Sequence, residues 1–334
     1  FEQMQQEGIS PDEVTFICSL QACGSVGAFE KGKEIHAEVV REGLLEKDIL
    51  VGTTLVDMYA KCGTLAKAQE VFDHLRRRNV VSWSAIIEGY TRHGEDILAL
   101  DSYVKMQNCG LDPDRVTFLS MLKVCGNLGA LYQGMLIHDQ AIRHDCQLSL
   151  GVANALIDMY GKCGSMEDSQ KVFDEMSMRD LMTWTGLVTG YSRQGEYSIV
   201  FYLFDRMIKE GIEPDGIAFL NVLNVCSHAG LLDKGEAYFE MMNDFHITRT
   251  VEHHNCMVDL FGRAGLLDKA MILVDEMPFT PDPVIWSTML CACRRWGTRE
   301  LARQTSDYAR VMKDSSAPTL VLMANMYAAS MCED

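Results

Sequence analysis

The chain has 334 residues, 48% of them hydrophobic, and a formal net charge of −17, which is too apolar for disorder and too long for one hydrophobic core. No apolar run approaches the roughly 18 residues that a membrane-crossing helix requires. So acidic a surface would repel a phosphate backbone unless a narrow basic track runs across it.

Two domains or a repeat array remain, and the chain order decides for the array. Phe1 opens inside a partial repeat, 1–12, so the chain is expected to be a fragment with any targeting peptide upstream. From Thr15 it reads TFICSLQACGSVGA, from Thr53 TTLVDMYAKCGTLAKAQEVFDHL, and from Trp83 WSAIIEGYTRHG. These phrases return in order as TFLSMLKVCGNLGA at Thr117, NALIDMYGKCGSMEDSQKVFDEM at Asn154 and WTGLVTGYSRQG at Trp184. A third round follows with AFLNVLNVCSHAGL at Ala218, NCMVDLFGRAGLLDKAMILVDEM at Asn255 and WSTMLCACRRWG at Trp286.

One glycine aligns all of them: Gly27, Gly63, Gly94, Gly129, Gly164, Gly195, Gly230, Gly265 and Gly297, 31 to 36 residues apart. An apolar stripe of helical period precedes each, such as Leu55, Val56 and Tyr59, and a second follows, such as Leu65, Ala68, Val71, Phe72 and Leu75. Glycine between two such stripes can take the left-handed conformation that ends one helix and turns into the next. The unit is therefore helix–turn–helix. Such a unit buries its apolar faces only by stacking on neighbours, which predicts an all-α superhelical solenoid with a long concave surface. Its complete units are 13–48, 49–79, 80–114, 115–149, 150–180, 181–215, 216–250 and 251–282, followed by an atypical unit at 283–316 and a truncated tail at 317–334.

The twelve cysteines form no C-x-x-C pair, only Cys291-Ala-Cys293, and five of them belong to the repeat, so they are expected to be reduced structural thiols. His36-Ala-Glu38 matches half of a zinc-deaminase signature, but the P-C-x-x-C half is missing, and the next equivalent is His138-Asp-Gln140. His253 and His254 have no carboxylate at ligand spacing and are expected to be structural. Trp83, Trp184, Trp286, Phe16, Phe118 and Phe219 share the fourth place of their units and are expected in the inter-helix core. No Gly-rich phosphate loop or nucleophile elbow is present, so no catalytic site, metal or cofactor is expected.

Tetratricopeptide units keep 34 residues and a W-x-x-L-G-x-x-Y frame, whereas the Trp segments here lack that Leu-Gly step and the lengths alternate. Units ending M-x-x-x-G-x-x-P-D, at Met106–Asp114 and Met207–Asp215, resemble pentatricopeptide repeats. The long–short–standard cycle, the phrase Leu55–Gly63 and Lys33-Glu-Ile-His36 resemble the plant PLS subclass, and residues 283–334 resemble its post-repeat extension. The resemblance covers essentially the whole chain and implies a right-handed superhelix.

It further implies single-stranded RNA as partner, one nucleotide per unit. The fifth and last residues would meet the base edge and the second would pack on the base face. The recognition pairs are then Thr53 with Asn79, Ser84 with Asp114, Asn154 with Asp180, Thr185 with Asp215, and Asn255 with Asp282. By the family's code they resemble readers of A, G, U, G and U. The long units carry Ile17, Leu119 and Leu220 in the fifth place, which cannot hydrogen-bond a base. Base-packing residues would be Leu50, Val81, Val116, Met182 and Ile217, with Gly151 and Glu252 as departures. Small polar residues also serve as helix caps, and that reading stands beside the first.

In the thirteenth place, Lys61, Arg92, Lys162, Arg193 and Arg263, with Arg295 in the extension, form a ladder that could follow phosphates. Ser25, Asn127 and His228 stand there in the long units. The same cations would also complement the helix macrodipole. The resemblance points to selection of C-to-U editing sites, or other processing sites, in mitochondrial or chloroplast transcripts. The chain would read the address, while a deaminase or editing cofactors would be separate and would dock through 283–334. A helical scaffold holding a protein peptide is the competing reading, supported by the acidity and by the apolar fifth places.

Overall fold

The computed structural model describes residues 10–144 and 149–298, together with Phe1, Met4, Glu7, Gly8 and Thr305. All regular structure among them is helical. The chain divides into two compact units, Phe1–Met178 and Arg179–Asp334.

In the first unit the leading helices of successive repeats are Glu13–Val26, Ile49–Lys61, Val80–Arg92, Arg115–Leu128 and Leu150–Lys162. Their second helices are Phe29–Arg41, Leu65–His74, Asp96–Asn108, Leu131–Arg143 and Met166–Glu175, with one extra turn at Leu44–Lys47. Each leading helix packs against its own second helix, and each of the first four packs against the leading helix of the next repeat. The second unit repeats this plan with leading helices Leu181–Gln194, Gly216–Ala229, Val251–Ala264 and Pro283–Trp296. The second helices there are Tyr197–Lys209, Leu232–Asp244 and Leu267–Asp275. The described part of the extension at 283–298 is thus a helix of the same kind, whereas 317–334 lies outside the described residues.

Two local devices recur along the array. All nine turn glycines have φ between 64° and 82°. The residue after each glycine donates its backbone N–H to a carbonyl five residues back, at 2.9 to 3.1 Å, as in Thr64 to Tyr59, Ala130 to Cys125 and Leu231 to Cys226. This closes the leading helix and satisfies a carbonyl that would otherwise be orphaned. At the other end, Asp12, Asn79, Asp114, Asp180, Asp215 and Asp282 accept a backbone N–H three residues on, and Asp48 accepts one from Leu50. These side chains fill the need for an acceptor at a helix start.

Between leading helices the packing is close. A Cβ added to Gly89 would stand 2.7 Å from the Cβ of Ala60, and one at Gly262 2.8 Å from that of Ala292, so these glycines let neighbouring repeats approach. Phe16, Trp83, Phe118, Trp184, Phe219 and Trp286 are all buried, as expected for core residues. Phe72 and Trp83 meet edge to face at 4.7 Å, a favoured aromatic geometry.

Three of the second helices also end on left-handed glycines, Gly43, Gly110 and Gly211, but in the 216–250 repeat that place holds His246, with φ 56°. It is the one described non-glycine residue with positive φ, and its side chain is exposed. Left-handed backbone costs an L residue about 1–2 kcal/mol, part of which glycine gives back through its freer unfolded chain. His246→Gly is expected to raise stability by roughly 1 kcal/mol, read as a higher denaturant midpoint; a lower midpoint would show that the imidazole holds the turn.

Candidate nucleic-acid interface

The first residues of the nine leading helices coincide with the residues that open each unit in the sequence, so the second, fifth and thirteenth places are helical positions. Second and fifth lie three apart and share a face.

The second residues point outward. Leu50 is 52% exposed, Val81 53%, Val116 41%, Met182 70% and Ile217 57%, and Val14 and Val284 hold the same place with 64% and 57%. A single exposed valine or leucine means nothing. Recurrence in one register, on the first turn of successive helices, makes a row of apolar surface within each unit. The departures are Gly151, which has no side chain, and Glu252, whose carboxyl is held below the usual range by the Thr250 hydroxyl.

Fifth residues lie beneath that row. Thr53, Ser84 and Thr185 are buried and Asn255 is half-buried. Ser84 Oγ is 2.9 Å from Asp114 Oδ1, 2.8 Å from Thr117 Oγ1 and 2.8 Å from the Val80 carbonyl. Asn255 Nδ2 donates to Asp282 Oδ2 at 3.4 Å. These two predicted pairs therefore touch. Thr53 and Asn79 do not bond, nor do Thr185 and Asp215. Thr53 Oγ1, Thr185 Oγ1 and Asn255 Oδ1 are buried oxygens with no hydrogen-bond partner. A buried polar atom so placed costs about 1–3 kcal/mol. Asn154 and Asp180 belong to different compact units.

The last residues remain accessible: Asn79 is exposed, and Asp114, Asp180, Asp215 and Asp282 are half-buried. They are also the helix caps described above, so capping and a place beside the fifth residue coincide on one side chain. Asp282 divides the work, Oδ1 accepting the Ile285 N–H at 2.9 Å and Oδ2 accepting from Asn255. In the long repeats Ile17, Leu119 and Leu220 are half-buried and offer no hydrogen-bonding group.

The cation ladder is more neutral than its spacing suggested. Lys61, Arg92, Lys162 and Arg263 each bind a carboxylate one turn back: Asp57 at 2.6 Å, Glu88 at 2.6 Å, Asp158 at 2.6 Å and Asp259 at 2.8 Å. Arg193 follows Thr189 instead of an acid, is exposed, and has no ion-pair partner among the described residues. Sequence reasoning read the cations without the acids four residues earlier, which a helix necessarily brings into contact.

Elsewhere the polar residues close on the scaffold. His36 Nδ1 lies 2.9 Å from the Tyr59 hydroxyl and His138 Nδ1 2.9 Å from that of Tyr160, and burial lowers both imidazoles below their ordinary pKa. The same bond one cycle later marks His36 as a repeat feature. His253 Nε2 reaches the Gly216 carbonyl at 2.8 Å. Every described cysteine is a free thiol; burial pushes Cys125 up to about 12 and Cys226 to about 11. Among the described residues no group of three or more His, Cys, Asp or Glu is placed to hold a metal.

An all-helical array with this turn and this register is matched by the PPR repeat family at residues 53–80, 152–181, 217–247 and 252–278. A second PPR repeat family covers 78–127, and a pentatricopeptide repeat domain covers 171–229. The chain belongs to the pentatricopeptide repeat family. It is 39% identical over 333 residues to the chloroplastic protein CRR2 of Arabidopsis thaliana, which covers 98% of this chain and 50% of that protein. It is 35% identical over 352 residues to the mitochondrial protein At3g02330 of the same plant, covering 98% and 38% respectively. The chain thus spans about half, or less, of these relatives' length. Its fold is similar to that of the pentatricopeptide repeat protein PPR10 solved with an 18-nt psaJ RNA element, with TM-score 0.84 at 17% identity over 98% of this chain and 50% of the other.

Exposed ion pairs contribute only about 0–1 kcal/mol, so a phosphate can compete for their cations. If the surface takes single-stranded RNA, Asp57→Asn, Glu88→Gln and Asp158→Asn together are expected to strengthen that binding whatever the sequence. They should also steepen its dependence on salt, by up to roughly 0.7 in log–log slope per cation released. An unchanged slope would leave these lysines and arginines as helix-end charges alone.

Proposed function

We propose that this chain binds single-stranded RNA in a sequence-specific manner, one base per repeat, and selects sites of C-to-U editing or other processing in organellar transcripts. The observation that carries the reading is the row of exposed apolar second residues, with polar fifth and last residues in the short and standard repeats. Flat apolar contacts suit the faces of unstacked bases, and short polar side chains suit their Watson–Crick edges.

The repeat frame 13–48 to 251–282 then reads, 5′ to 3′, N-A-G-N-U-G-N-U. The unspecified bases face Ile17, Leu119 and Leu220. The cycle of unit lengths supports the PLS subclass, and the repeat-like helix Pro283–Trp296 supports an extension behind the array. Relatives named chloroplastic and mitochondrial support an organellar setting. Catalysis is assigned to a separate domain or partner, a deaminase or editing cofactor docking on 283–334.

A scaffold for a protein peptide would share the exposed apolar row, and base choice separates the two. Asn154→Thr with Asp180→Asn is expected to turn the preference at the fifth base from U to A. Because a mismatched edge leaves polar groups unpaired, the shift should be about 1–3 kcal/mol. The measurement is the affinity of both proteins for two RNAs that differ only at that base. Inverted ranking supports base reading; identical ranking favours the scaffold.

A further inference from the structure

The row of apolar second residues breaks at Gly151, so the 150–180 repeat lacks the side chain that would pack on its base. The space is not open. Among the described residues, a Cβ built on Gly151 would meet one neighbour within 4 Å, the Nη2 atom of Arg115, at 3.2 Å. Arg115 begins the leading helix of the preceding repeat, Arg115–Leu128, which packs directly on Leu150–Lys162. Of the nine leading helices, only this one begins with a cation, and only the next has glycine as its second residue. The two departures are therefore neighbours in space as well as in register.

We propose that the Arg115 guanidinium replaces the missing second-place side chain of the 150–180 repeat and stacks on the base that repeat faces; this rests on the RNA reading above. The chemistry fits. A guanidinium is planar, delocalised and weakly hydrated, and it stacks on aromatic rings and bases as an apolar side chain does while adding a charge. Arg115 is exposed and has no ion-pair or hydrogen-bond partner among the described residues, so no carboxylate competes for it. Glycine at 151 leaves it room, because a β-carbon would stand 3.2 Å from Nη2 and a larger, branched side chain would displace the group. Asn154 stands three residues beyond Gly151 on the same helical face, so the stacking group and the proposed edge reader address one nucleotide. The charge makes Arg115 a cation on the base row itself, beside a ladder whose other members in this unit are largely neutralised.

The test is a double-mutant cycle with the whole chain. Wild type and Arg115→Ala are measured against the RNA of the proposed sequence and against the same strand abasic at its fifth position. Arg115→Ala is expected to weaken the intact strand about 5- to 30-fold and the abasic strand less than about twofold. Adding Gly151→Val to Arg115→Ala should recover most of the loss on the intact strand, since an apolar side chain then fills the place. Because Arg115 is exposed, its thermal unfolding should match wild type, which separates lost contact from lost fold. An equal loss on both strands would make Arg115 a phosphate contact, and no loss would make it a bystander; either overturns the inference. Failure of the wild-type chain to bind any single strand would overturn the RNA reading itself, and this inference with it.

Discussion

The structure depends on one contact made at most junctions, the Asp or Asn side chain that ends a repeat capping the helix that opens the next. A helix start leaves backbone N–H groups with no internal acceptor, and Asp or Asn supplies one. Asp114 shows how much is tied to that bond. Its Oδ1 accepts the Thr117 N–H at 2.8 Å and lies within bonding distance of both the Thr117 and Ser84 hydroxyls. One oxygen thus joins the end of one repeat, the start of the next and the fifth residue between them. On the proposed reading, a cap and a base reader are therefore not rival descriptions of these positions. Aspartate and asparagine cap about equally well, so the choice between them is left free by the fold. That freedom is what a code needs.

Charge follows the same economy. A net charge of −17 argued against a nucleic-acid partner, and a ladder of cations answered it. In the folded chain most of that ladder is matched, helix turn by helix turn, with acids. On the proposed reading, long-range attraction to phosphate is weak and the strand is held by contact with its bases. Arg193 and Arg115, exposed and without ion-pair partners among the described residues, become the local exceptions.

Much of this was legible in the sequence because repetition turns weak local signals into a register. The nine glycines predicted nine left-handed turns, and the aromatic fourth places predicted core, since both depend only on residues near in the chain. The ion pairs of the ladder were equally local and were missed by reading position thirteen without position nine. Arg115 beside Gly151 was of another kind. Nothing in either repeat alone points to it, because the contact exists only once two leading helices are laid side by side. His246 was hidden for the opposite reason. Its left-handed backbone is imposed by the repeat against the preference of its own residue, where Gly43, Gly110 and Gly211 agree with it.

The fifth places divide the repeats by how well they satisfy themselves. Ser84 has three oxygen neighbours within the protein, so its hydroxyl is held in one place before any base arrives. Thr53 and Thr185 keep buried hydroxyls without partners, and Asn255 a buried carbonyl oxygen. Each leaves about 1–3 kcal/mol that a correct hydrogen bond would return. Ile17, Leu119 and Leu220 leave nothing to return, so on the proposed reading any base would pass them alike. On the proposed reading, discrimination should then be strongest where the free protein is least satisfied, and the Ser84 repeat should bind its base with the least rearrangement. On that reading a short run of bases can be specified by contact alone, because selection needs only unequal costs for unequal edges.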